Sequence, residues 1–259
     1  MTVSFEKCYH ELVVRGGPLA QHAYDQWRQR VGYEKVVDFV EAFEHRQLFQ
    51  LTVADIRNVI CETEHALGNV PKEDQIPEIE DFTCPFALQH IFHRYVENAQ
   101  RIPTWQQFWR WMNKQAYPYW LAEIQPLKEQ LSQRYPPDRI ERAIRWRLGK
   151  FYYSALREVD LLVWLRSNSI DVQYHLLADV LLRVDFWVGD ILVCIYFSNT
   201  RYRAGTSGRK PPAMSFFREA KPPFQILDFE VERQGFGKIW LVSDESKINL
   251  HNKIKYLTS

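Results

Sequence analysis

The chain has 259 residues, 46% of them hydrophobic and 25% charged, with a net charge of +1. That is an ordinary globular composition, long enough for one large or two small folding units with a proper core. A charge so near zero excludes a globally basic nucleic-acid binder, so any such signal must be local.

No segment approaches the ~18 uninterrupted apolar residues of a membrane span. The opening MTVSFEKCYHELVVRGG mixes short apolar pieces with charges, unlike a signal peptide. Cys8, Cys61, Cys84 and Cys194 are widely spaced and never form CxxC, which argues against a zinc site and a disulfide framework. The expectation is a reduced, cytoplasmic protein with buried thiols and no membrane partner.

Residues 1 to about 135 read as a helical domain. In VGYEKVVDFVEAFEHRQLF, Val36, Val37, Phe39, Val40 and Phe43 fall at helical spacing. Thr52, with Asp55 three residues on, is a capping signal for the next helix. GNVPKEDQIPEIEDFTCP, from Gly68 to Pro85, reads as a polar, proline-broken loop. In IPTWQQFWRWMNKQAYPYW, Thr104 is an N-cap, and Trp105, Phe108, Trp109 and Met112 form a helical aromatic stripe. Such a stripe can stack bases, but its commoner use is to glue helices into a core.

Pro136-Pro137-Asp138 marks a boundary, because prolines before an aspartate stop one element and start another. One long helix should then run to about Arg166. Ile144, Leu148, Phe151, Ala155, Val159 and Leu162 fall on one face. Arg139, Arg142, Lys150 and Arg157 fall on the other, with Arg147 at its edge, as a solvated face or a phosphate-contacting stripe. After Ser169, IDVQYHLL, LLRVDFWV and ILVCIYF read as three strands, with Gly189-Asp190 as a hairpin turn. FQILDFEVERQ reads as a helix, KIWLVSD as a strand and ESKINLHNKIKYL as a last helix. The fold class is therefore α+β, with a helical domain over 1–135 and a mixed α/β domain over 136–259.

Within RVDFWVGDILVCIYFSN, an aspartate leads into a hairpin, and a glutamate-bearing helix precedes the sheet. This half resembles the PD-(D/E)xK restriction-endonuclease-like superfamily. The resemblance implies that Asp185 is the family's aspartate and Glu158 its accessory glutamate, the pair holding Mg²⁺ if the site is active. The (D/E)xK triplet is missing: Val193, Cys194, Ile195 and Tyr196 stand where it belongs. Asp179 and Asp190 are substitute carboxylates and His175 a substitute base, although Asp190 also suits the turn and His175 a core. Between Tyr196 and Lys221 there are six cations against the single acid Glu219. Of these, Arg201, Arg203, Arg209 and Lys210 surround Gly205 and Gly208, a composition suited to gripping a phosphate backbone.

Three functions stay open. The first is a nucleic-acid-binding subunit with a silent nuclease-like domain, taking DNA in preference to RNA. It would dock other protein subunits through the aromatic-rich helical domain and need no cofactor. The resemblance implies bacterial defence or mobile-element complexes as its setting. The second is a Mg²⁺-dependent nuclease with a rearranged centre at Asp185 and Glu158. The third is a protein-binding scaffold.

Overall fold

The computed structural model describes residues 2–62, 75–197, 212–236 and 239–258. Helix and sheet are both present, helix predominating. The helices are α1 (Phe5–Cys8, continued as a π-helical stretch Tyr9–Val14), α2 (Pro18–Arg28), α3 (Glu34–Glu41), α4 (Val53–Glu62), α5 (Pro77–Glu80), α6 (Leu88–Ala99), α7 (Trp105–Met112), α8 (Gln125–Leu131), α9 (Pro137–Ser167), α10 (Met214–Phe217) and α11 (Asp244–Thr258). The strands are β1 (Val3–Ser4), β2 (Glu44–His45), β3 (Phe186–Val188), β4 (Ile191–Phe197), β5 (Gln225–Val231), β6 (Arg233–Phe236) and β7 (Ile239–Val242).

The chain divides into two compact units. A sheet unit combines Met1–Thr52, Asp160–Gln234 and Leu241–Ser259, and a helical unit combines Val53–Val159 with Gly235–Trp240. The division does not follow Pro136. The first 52 residues belong with the sheet, and α9 passes from one unit to the other between Val159 and Asp160.

In the sheet unit, β3 and β4 form an antiparallel hairpin and β5 joins β4 in parallel. Val188 faces Ile191 across the turn, and Gly189 takes φ 54°, which glycine adopts without a Cβ clash. The N-terminal segment is tied to this sheet by side chains. Lys7 Nζ donates to Gln173 Oε1 (2.7 Å), Trp187 Nε1–H to Glu11 Oε2 (2.6 Å), and Arg15 pairs with Asp190 (2.6 Å). Arg166 donates to the carbonyls of Leu48 and Phe49.

Two expected elements differ. IDVQYHLL is no strand: Gln173 alone bridges to Trp187, and a π-helical turn follows over Leu177–Leu181. FQILDFEVERQ is β5 rather than a helix. Its Leu-Asp-Phe-Glu-Val core alternates, with Asp228 and Glu230 exposed and Val231 buried, which is a strand period. Pairing with β4 outweighs the helical propensity of such a stretch.

The helical unit follows its sequence more closely. Thr104 Oγ1 accepts from Gln107 N–H (3.3 Å), and Gln107 Oε1 accepts from Thr104 N–H (3.1 Å), a complete capping box for α7. Trp105, Phe108 and Met112 are buried and Trp109 is half-buried, so the stripe is core apart from Trp109. Phe92 and Tyr152 both lie 5.7 Å from Phe108, and Tyr152 Oη–H donates to Pro103 O (2.7 Å). The predicted apolar face of α9 is buried, as are Tyr152, Tyr153, Leu156 and Leu161. Within the expected loop at Gly68 to Pro85, Pro77–Glu80 makes one helical turn.

Candidate functional site

Asp185 lies just before the first residue of β3. Its N–H donates to Val193 O (3.0 Å), continuing the ladder by one bond. Further along β4 the Asp185 carboxylate takes up a backbone donor: Asp185 Oδ2 accepts from Ile195 N–H at 2.6 Å. The Cys194 thiol donates to Arg183 O (3.3 Å). Arg183 has φ 63°, a left-handed conformation that turns the chain out of the preceding π-helical turn and into the hairpin.

Desolvation and the nearby Asp179 charge push the Asp185 carboxyl up to about 7, against the pull of the Ile195 N–H and the Arg183 guanidinium. Burial, together with Asp185 and Asp228, also raises the Cys194 thiol. Asp228 stands opposite Cys194 in the parallel register and is exposed. Asp179 accepts from Tyr174 Oη–H (3.2 Å).

Among the described residues, no group of three or more His, Cys, Asp or Glu side chains could hold a metal ion. On β4, Val193 is fully buried and Cys194, Ile195 and Tyr196 bring neither carboxylate nor cation. Glu158 is part-buried on α9, in the segment that belongs to the helical unit, whereas Asp185 belongs to the sheet unit.

The other substitutes have structural work. Asp190 lies in the turn, exposed, with Arg15 on its carboxylate. His175 is fully buried: its Nδ1 accepts from Leu177 N–H (3.1 Å), so Nε2 carries the proton toward Phe43 O (3.2 Å). Desolvation lowers it to about 4, and His45 stands edge-on at 5.4 Å. A buried neutral imidazole with both nitrogens engaged is a core residue, not a base.

Arg201, Arg203, Arg209 and Lys210 lie outside the described residues, as do Gly205 and Gly208. The α9 cations have local partners. Arg142 pairs with Asp138 one turn back (2.5 Å), Lys150 faces Glu80 (3.8 Å) and lies 4.1 Å over the Trp146 ring, and Arg157 donates to Ser154 (3.3 Å). These contacts fit a solvated helix face. All four cysteines are free, but Cys61 is exposed, so the expectation of buried thiols fails there.

Sequence reasoning missed one buried ion pair. Lys247 Nζ of α11 lies 2.6 Å from Asp160 Oδ2 of α9, both side chains 1% exposed. Asp160 interrupts the apolar run VDLLVWL, and that interruption was the available signal. Compared with family models, curated proteins and solved structures, the chain matches none.

Proposed function

We propose that this chain is a nucleic-acid-binding subunit whose nuclease-like half does not cut. The observation that carries the reading is the engagement of Asp185 by the Ile195 N–H of β4, a strand without a ligand or a lysine. A phosphodiesterase needs a metal or a preorganised cation against the charge developing on phosphorus. Among the described residues no cluster of three or more His, Cys, Asp or Glu could hold a metal, and β4 brings no lysine beside Asp185.

Binding is assigned to the cation-rich segment around Arg201, Arg203, Arg209 and Lys210, with DNA preferred to RNA. Six cations against one acid between Tyr196 and Lys221 favour a phosphate backbone by counterion release. Because the aromatic stripe of α7 is core apart from Trp109, companion proteins would dock on other surfaces of the helical unit. The restriction-endonuclease-like kinship, and the defence or mobile-element setting it implies, rest on the Asp185 hairpin alone.

The test incubates the protein with plasmid, single-stranded DNA and RNA in Mg²⁺ or Mn²⁺, and measures oligonucleotide binding across a salt series. We expect no cleavage, and binding that weakens with salt. The quadruple alanine variant at Arg201, Arg203, Arg209 and Lys210 should bind less, with a shallower slope. Cleavage abolished by Asp185→Ala overturns the silent-site reading. Absence of binding at low salt leaves the scaffold.

A further inference from the structure

The helical unit holds an open cleft of about 510 Å³ between the end of α6 and the outer face of α7. Its size lies within the ~300–1,000 Å³ of ordinary small-molecule sites. Arg101, Arg110 and Lys114 line it together with Trp111, Tyr95 and Asn98, and no carboxylate does. All three cations are exposed, and none makes an ion pair or side-chain hydrogen bond among the described residues. This contrasts with Arg134, Arg142 and Lys150 of the same unit, each of which has an acidic partner.

Part of this charge has a local explanation. Arg110 and Lys114 lie at and just beyond the C-terminal turn of α7, where the helix dipole favours cations. A dipole end equivalent to roughly half a charge leaves most of three positive charges uncompensated. Three exposed cations on one wall with no carboxylate among the lining residues make the cleft attractive to a multiply charged anion such as a phosphate group.

The aromatic wall sets what the anion is attached to. The Trp111 indole is part-buried, and Tyr95 meets it edge-on with centroids 5.4 Å apart at 87°. The edge-to-face contact fixes the indole, and the part of Trp111 that lines the cleft offers an aromatic surface to a flat heterocycle. Asn98 and Gln115 add exposed amides that can both donate and accept along a base edge. Helix α7 is thus two-sided: Trp105, Phe108 and Met112 enter the core, while Arg110 and Trp111 face the cleft.

We infer that this cleft binds a nucleoside phosphate, the cations holding the phosphate and Trp111 stacking the base. The ligand is either a free nucleotide or one nucleotide of a single strand. The inference goes beyond the reading above, which assigns nucleic acid to the segment after β4, and the two can fail separately.

The experiment is calorimetric titration of the whole chain with AMP, GMP, a 5′-phosphorylated thymidine tetranucleotide, adenosine, inorganic phosphate and a glutamate tetrapeptide. AMP or the tetranucleotide should bind at least tenfold more tightly than adenosine or phosphate. Arg110→Ala/Lys114→Ala should weaken this by tenfold or more, and Trp111→Ala should narrow the gap between AMP and phosphate. Every titration is run in the quadruple alanine variant of the segment after β4, alone and combined with the cleft substitutions, so that phosphate contacts of that segment do not contribute to the readout. Tight mononucleotide binding identifies a free ligand; binding confined to the tetranucleotide identifies a single strand. The inference is overturned if neither binds, if the double variant binds normally, or if phosphate or the glutamate peptide binds as well as AMP. The substituted side chains are exposed or half-exposed, and an unchanged circular dichroism spectrum confirms that each variant is folded.

Discussion

Replacing Asp185 by Asn separates a ladder carboxylate from a catalytic one. Asn keeps an oxygen for the Ile195 N–H, a bond of 2.6 Å. It removes only the charge. In the folded state the carboxyl rises from 3.8 to about 7, and a shift of that size separates the two protonation states by roughly 4 kcal/mol. Asp185 is part-buried rather than fully enclosed, and solvent screening reduces the expected effect to ~1–2 kcal/mol. The sign follows from linkage. A raised folded value means that the native state binds the proton more tightly than the unfolded chain. The contribution of Asp185 is therefore fully present below about pH 4 and is lost as pH rises through about 7. Asp185→Asn should accordingly be more stable than wild type by ~1–2 kcal/mol at pH 8, the difference shrinking toward pH 4. Urea denaturation at half-unit pH steps, with and without Mg²⁺, measures this. A variant less stable than wild type at pH 8 refutes the reasoning. So does Mg²⁺ stabilising wild type at pH 8 and not the variant, since that is the behaviour of a metal ligand.

Lys247→Met leaves Asp160 buried beside an apolar chain and should cost about 3–5 kcal/mol in denaturant unfolding, much of which Lys247→Met/Asp160→Leu should recover. His175, held neutral with a value of about 4, binds no proton where the unfolded chain does. Its stabilisation is present above about pH 6.5 and is lost toward pH 4, by up to ~3 kcal/mol. Measured in the Asp185→Asn background, His175→Gln should flatten that acid limb. Thr104→Ala removes half of the α7 capping box and should lower stability by about 1 kcal/mol. Trp105→Ala should cost ~3–5 kcal/mol without a specific loss of oligonucleotide binding in the variant that remains folded, because the ring is core.

What the sequence determined by itself is what short-range forces decide. The Thr104 cap, the Pro137 start of α9, its buried face and the Gly189-Asp190 turn each depend on residues a few positions apart, and each was legible. The α5 turn at Pro77 and the exposed thiol of Cys61 were not, though both are local features. The tertiary structure decided the rest through partners distant in the chain. Strand β5 exists because β4 offers a parallel edge across more than two dozen intervening residues, and FQILDFEVERQ alone does not reveal that edge. His175 is neutral because the core removes water from it, against the opposing pull of the Phe43 carbonyl, and Phe43 is 132 positions away in the chain. Asp160 is tolerated among leucines because α11 brings Lys247 to it. Asp185 resembled a catalytic aspartate because the residue type and the following hairpin are local. Whether its oxygen faces a metal or a backbone N–H depends on the register of the neighbouring strand, which is fixed when the sheet assembles.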